Sequence, residues 1–239
     1  MRLGFVGAGR MGRPMVARLV AAGHEVRVLG RSDVVAPEED AVVICVLTDQ
    51  QVRDVAAGLP KGTTVVVHTT CSPSTVAHLE GQGLDVVDAP VSGGPPDVEA
   101  GRITLFVGGA EAAVERVRPV LGAYGDPVLH VGAAGAGQRV KLINNALFAA
   151  QLGLLVDAAA LATQWTVDEA VLLNALRHGS SAGRALLGAS SRGSATTFTR
   201  SIADFLAKDL AVVRAEGADL GCLAPAMAAL PLSSAELSS

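Results

Sequence analysis

Two constellations in the chain combine residue types and spacing that can do chemistry. Lys141 and Asn145 stand four residues apart in an otherwise apolar run, so a helix there puts both on one face. An ammonium group can protonate a carbonyl oxygen as a hydride arrives at its carbon, with a neighbouring amide fixing the molecule being reduced. The charge developing on that oxygen also needs electrostatic support. The second constellation is GAGRMG at 7–12, in which Gly7, Gly9 and Gly12 have GxGxxG spacing. Set between a strand and a helix, Gly7 permits the tight turn, Gly9 leaves room for a pyrophosphate and Gly12 lets the helix pack close to the sheet. Ala8, Arg10 and Met11 complete this cofactor loop, whose free N–H groups at the helix start suit a diphosphate. A dinucleotide loop followed by a Lys–Asn helix points to nicotinamide-dependent hydride transfer on a carbonyl or hydroxy compound.

The elements that must position these groups follow a clear order. RLGFV at 2–6 reads as a strand, GAGRMG follows at once, a helix runs to Gly23, and EVRVLG is a second strand. That strand ends in LGRS. Gly30 lacks the carboxylate that usually binds the ribose of NAD, whereas Arg31 can pair with a 2′-phosphate and Ser32 adds a hydroxyl. NADP is therefore the first choice of cofactor and NAD the second, with Asp33 close by. AVVICVL, TTVVVH, LDVVDAP, ITLFVGG and PVLHVG supply further strands, alternating with helices, so a mainly parallel sheet is expected. Ligands sit beyond the carboxyl ends of such strands. The loops around Leu47, Thr48 and Asp49, Thr69 and Thr70, and Pro90 to Gly94 should thus open on the cofactor crevice. Only the short segment Arg31 to Asp40 separates the second strand from the third, less than a right-handed crossover normally needs.

Beyond His130 the pattern changes. GAAGAGQ is a glycine-rich entry to a long helix through Lys141 and Asn145, and 168–177, 201–217 and 222–230 also read as helices. The Ser/Gly-rich tract 178–201 reads as a mobile loop or one poorly formed helix. The expectation is an α/β chain: a Rossmann-like domain at 1–131 and an all-helical domain at 132–239.

Composition excludes several classes. A net charge of −4 with no basic stripe gives no footprint for nucleic acid. Half the chain is hydrophobic but only 3% is aromatic, so the core must be built from Ala, Val and Leu. Cys45, Cys71 and Cys222 form no metal-ligand spacing, and no metal is expected; their odd number fits a reducing compartment. No signal-like N-terminus is present, and the uncharged run 142–156 is too short to span a bilayer, so a soluble, cytoplasmic protein with no membrane partner is expected. His68 reads as a structural strand-end histidine rather than a general acid, and His24 and His130 as turn residues.

Several motifs in the same order resemble the β-hydroxyacid dehydrogenase family: GFVGAGRMGRPMVARLVAAGHEVRVLGR, HTTCSP, DAPVSGG, GRITLFVGG, GAAGAGQRVKLINNAL and KDL. The resemblance implies Lys141 as the catalytic lysine, Asn145 as its substrate-binding partner, and Thr70 near nicotinamide and substrate. It implies that Ser92, Gly93 and Gly94 hold a substrate carboxylate, and that Lys208, beside Asp209, contacts both cofactor and substrate. It further implies a small carboxylate-bearing substrate and a homodimer or homotetramer. Family members commonly carry a helix and a short strand after the Arg31 position, and more helix at the C-terminus, which this chain lacks or compresses. Two other activities fit the same residues less well: an NADPH-dependent imine reductase, which commonly lacks the lysine, and an inactive NADP-binding protein.

Overall fold

A computed structural model describes residues 1–30, 33, 39–228 and 230. The chain divides into two compact units, Met1–Lys141 and Leu142–Ser239. The division falls within one helix, later than the expected boundary at 131.

The first unit is a sheet with helices on both faces. Its strands are β1 (Arg2–Val6), β2 (Glu25–Leu29), β3 (Ala41–Ile44), β4 (Thr64–Val67), β5 (Asp85–Asp88), β6 (Val91–Ser92), β7 (Ile103–Gly108) and β8 (Gly125–Gly132). Among the described residues the order is β2-β1-β3-β4-β5-β7-β6, with β8 also paired to β7. β2, β1, β3, β4 and β5 are mutually parallel, while β7 runs antiparallel to β5 and β6. β2 and β3 flank β1. Arg31 and Ser32, the candidates for a 2′-phosphate, lie outside the described residues.

Alternation along the buried strands assigns side chains to two cores. Leu3, Phe5, Val43 and Val66 face α1 (Gly12–Ala21), where Met15 and Leu19 are fully buried. Val42, Ile44, Val65 and Val67 face the other way, towards Val52 and Ala56 of α2 (Asp49–Ala57) and Val76 and Leu79 of α3 (Pro73–Gly81). Two further helices, α4 (Pro95–Glu99) and α5 (Glu111–Gly122), complete this unit. His130 belongs to β8, not to a turn; its Nε2 lies 3.0 Å from the carbonyl oxygens of Gly109 and Gly132. β8, the strand read from PVLHVG, is mostly solvent-facing.

The helix that opens the second half, α6 (Ala136–Gln164), has 29 residues. With mean hydropathy 1.7 in its most apolar window, it is long and apolar enough to cross a membrane by length and composition, more so than the run 142–156 suggested. Leu142, Ala146, Ala149, Ala150 and Leu152 on it are nonetheless buried in protein. Then follow α7 (Glu169–Leu176), α8 (Arg184–Arg192), α9 (Ala195–Ser201), α10 (Ala203–Ala215) and α11 (Leu223–Ala228). The tract expected to be a loop or one poor helix is therefore two helices, α8 and α9, split at Gly193 with φ 68°. Ser194 caps α9, and burial of Leu186, Ala189 and Ala195 with Leu173 outweighs the weak propensity of Ser, Thr and Gly.

Candidate active site

The glycine loop has the geometry expected of it. Gly7 has φ 96°, and a Cβ there would run into the Cys45 carbonyl. A Cβ on Gly12 would strike the Gly7 carbonyl and approach the Phe5 ring at 2.9 Å, which fixes the close approach of α1 to β1. Gly9 differs: a Cβ there would meet nothing within 4 Å, so this part of the loop is open. The start of α1 has neither a side-chain cap nor an acidic residue in its first turn. By contrast, α2 is closed by a capping box between Thr48 and Gln51, and α3 by Ser72 with Pro73 at its start. An uncapped helix start behind an open glycine fits a dinucleotide's pyrophosphate.

Thr48 and Leu47 lie in the connection from β3 to α2. Their backbone N–H groups donate to Gln51 Oε1 at 3.2 and 2.9 Å and are thus already engaged. The Leu47 side chain is 70% exposed. Asp33 accepts the Gly30 N–H at 2.7 Å, closing its own turn at the end of β2.

Thr70 lies half-buried in the β4–α3 connection. The preceding His68 is buried, with Nδ1 2.6 Å from Ala89 O and Nε2 2.7 Å from Tyr124 Oη. A carbonyl only accepts, so Nδ1 carries the proton and Nε2 accepts from the tyrosine. Burial pulls the histidine pKa down to about 4, which keeps the ring neutral and matches the structural role read from sequence. Burial likewise raises the Tyr124 hydroxyl, with the Cys45 thiolate charge adding to it, and pushes the Cys45 thiol up to about 11.

The segment after β5 holds Ser92, Gly93 and Gly94. Ser92 pairs with Thr104 across β6 and β7. Gly93 has φ 135° and is exposed. The Gly94 N–H is already engaged, donating to Asp97 Oδ2 at 2.8 Å. Of the three, the Ser92 hydroxyl and the Gly93 backbone are the better placed to meet a ligand.

Sequence reasoning missed the groups that anchor α6. Asp88, at the end of β5, is completely buried and accepts the N–H of Gly135 and of Gln138, each at 2.7 Å. Burial raises its pKa, and the two N–H bonds pull it back. Gln138 is also completely buried; its Oε1 accepts the Cys71 N–H at 3.0 Å and its Nε2 donates to Thr69 O at 2.9 Å. The spacing of Gln138 and Lys141, three apart on a helix, was the available signal. Lys141 itself is 3% exposed.

In the helical unit, Asn145 is 2% exposed and donates through Nδ2 to Asp209 Oδ2 at 2.6 Å. Lys208 Nζ lies 2.9 Å from the other oxygen, Oδ1, an ion pair without hydrogen-bond alignment. The Asp209 carboxylate thus joins the two residues that sequence placed at the substrate. α6 is one continuous helix, so Lys141 and Asn145 share a face as expected. Among the described residues no group of three His, Cys, Asp or Glu side chains is placed to hold a metal.

Comparison with known proteins places the chain in a family. A model of the NAD-binding domain of 6-phosphogluconate dehydrogenase matches residues 2–38 and 32–132, and one of the NAD-binding domain of NADP-dependent 3-hydroxyisobutyrate dehydrogenase matches 135–233. The chain belongs to the β-hydroxyacid dehydrogenase family. The first model matches in two pieces that overlap at 32–38, between β2 and β3. The chain is 32% identical over 190 residues to 2-(hydroxymethyl)glutarate dehydrogenase of Eubacterium barkeri, covering 67% of this chain and 63% of that protein. It is 34% identical over 186 residues to a probable 3-hydroxyisobutyrate dehydrogenase of Mycobacterium bovis, with the same coverages. The chain therefore spans under two thirds of the length of these curated relatives. The solved structure of Mycobacterium tuberculosis 3-hydroxyisobutyrate dehydrogenase with L-serine matches with TM-score 0.80 and 28% identity, covering 95% of this chain and 91% of that one.

Proposed function

We propose that this chain transfers a hydride between NADP(H) and a small 3-hydroxy acid or its semialdehyde. The observation that carries the reading is a buried lysine, Lys141, one helical turn from a buried amide, Asn145, whose orientation Asp209 fixes. Relatives named for 3-hydroxyisobutyrate and 2-(hydroxymethyl)glutarate support a hydroxy acid as substrate.

The bound nicotinamide supplies the hydride. Gly7, Ala8, Gly9, Arg10, Met11 and Gly12 form the loop that holds the pyrophosphate, with exposed Leu47 offering apolar surface beside it. Arg31 and Ser32 are assigned to the 2′-phosphate by residue type. Asp33 leaves this assignment standing because its carboxylate closes its own turn rather than standing ready for a ribose. NAD is the second choice.

By their match to the family's motifs, Ser92 and Gly93 are assigned to the substrate carboxylate, Asn145 to the substrate, and Thr70 and Lys208 to both cofactor and substrate. In reduction Lys141 delivers a proton to the carbonyl oxygen as hydride reaches the carbon; in oxidation it takes that proton back. Its charge stabilises the oxygen in between. The assembly is a homodimer or homotetramer.

Replacing Lys141 by Ala is expected to lower kcat by about 10³-fold, within the range for loss of a positioned acid, while the NADPH dissociation constant changes little. Near-normal turnover in the variant would remove Lys141 from the chemistry.

A further inference from the structure

Thr70 and Lys141 come from distant parts of the chain, and one side chain bridges the elements that carry them. Gln138 is completely buried on the first turn of α6, three residues before Lys141. Its two polar atoms bond the residues on either side of Thr70: Oε1 accepts the Cys71 N–H at 3.0 Å, and Nε2 donates to Thr69 O at 2.9 Å. The same residue's own N–H is held by Asp88 Oδ2 at 2.7 Å, from the end of β5. Gln138 is thereby fixed at both ends, with its backbone tied to β5 and its side chain to the β4–α3 loop.

We propose that Gln138 is a positioning residue that sets Lys141 against Thr70. This rests on the catalytic reading of Lys141 given above. A primary amide suits the place because it offers one donor and one acceptor in a plane, matching the C=O of Thr69 and the N–H of Cys71. No other uncharged side chain of that length offers both. Gly137 beside it keeps α6 close to the sheet: a Cβ there would run into the Phe106 carbonyl and approach Asp88 at 2.8 Å. The strut is therefore short and leaves little slack, and displacement of about 1 Å is enough to slow transfer between positioned groups about a hundredfold.

Two variants test this. Gln138→Met keeps length and burial and removes both bonds. Gln138→Glu keeps the acceptor for Cys71 but faces the Thr69 carbonyl with an oxygen; protonation at low pH restores a donor. In Gln138→Met, kcat for a semialdehyde reduced with NADPH is expected to fall about a hundredfold, with NADPH affinity within twofold of wild type. In the cofactor-free protein the Cys71 amide is expected to exchange with solvent faster than in wild type. In Gln138→Glu, turnover relative to wild type rises as pH is lowered, a recovery that a purely structural role would not produce. Wild-type kcat in Gln138→Met with unchanged Cys71 exchange would overturn the positioning role alone. Absence of turnover by the wild-type protein on every semialdehyde offered would overturn the functional reading, and this role with it.

Discussion

His68 shows how a titratable group beside a candidate site is kept out of the chemistry. Its ring is neutral, buried, and bonded at both nitrogens, so it has neither a spare proton nor a route to solvent. Its effect is on stability. The folded-state pKa of about 4 lies below the ordinary value of 6.5, so the unfolded chain binds the proton more readily. Stability is therefore complete above pH 6.5 and declines as pH falls towards 4, by roughly 3 kcal/mol from this group. Urea unfolding at pH 7.5, 6 and 4.5 checks this. The wild-type loss across that window should be steeper than that of His68→Met, and parallel slopes would contradict it. The shared helical face of Lys141 and Asn145, in contrast, was legible from sequence because the two are one turn apart; Asp209, which holds Asn145, lies 64 residues further on and only folding brings it there.

At the scale of elements, the sheet and the glycine loop were readable because each strand, turn and helix writes its own periodicity and stop signals locally. Gly7 and Gly12 do what their spacing implies, one at positive φ and one at the helix–strand contact. Asp88 and Gln138 were not readable as a cap and a strut. Their partners are 47 to 69 residues away, and no local pattern encodes such distances. The α8–α9 corner was misjudged for the opposite reason: its residues favour loops locally, and tertiary burial overrides that preference. The approach of α6 to the sheet gives a prediction at this scale. Gly137→Ala should destabilise the sheet unit by about 1–3 kcal/mol, since the added methyl meets backbone on one side and a buried carboxylate on the other. Thermal unfolding tests it; an unchanged Tm would mean that α6 is free to move away from β7.

For the molecule as a whole, the helix carrying the candidate catalytic pair also has an apolar face open to solvent. Ile143, Leu147, Leu154, Leu161 and Trp165 of α6 and its end are 64%, 48%, 58%, 42% and 70% exposed. At about 100° per residue they fall within roughly 40° of one another, on the side opposite Lys141 and Asn145. An exposed apolar stripe of this kind suits association with a second copy, which agrees with the proposed homodimer or homotetramer. Leu147→Glu with Leu154→Glu should shift the sedimentation coefficient towards that of the monomer, and an unchanged value would place the interface elsewhere. The central claim is hydride transfer from NADPH to a small carboxylate-bearing aldehyde with Lys141 as the proton donor. It is tested most directly by following NADPH absorbance with short semialdehydes and, as a control, cyclic imines, for wild type and Lys141→Ala. The account predicts oxidation of NADPH by a semialdehyde in the wild type and its collapse in Lys141→Ala. Turnover confined to the imines, or binding of NADPH with no turnover at all, would contradict it.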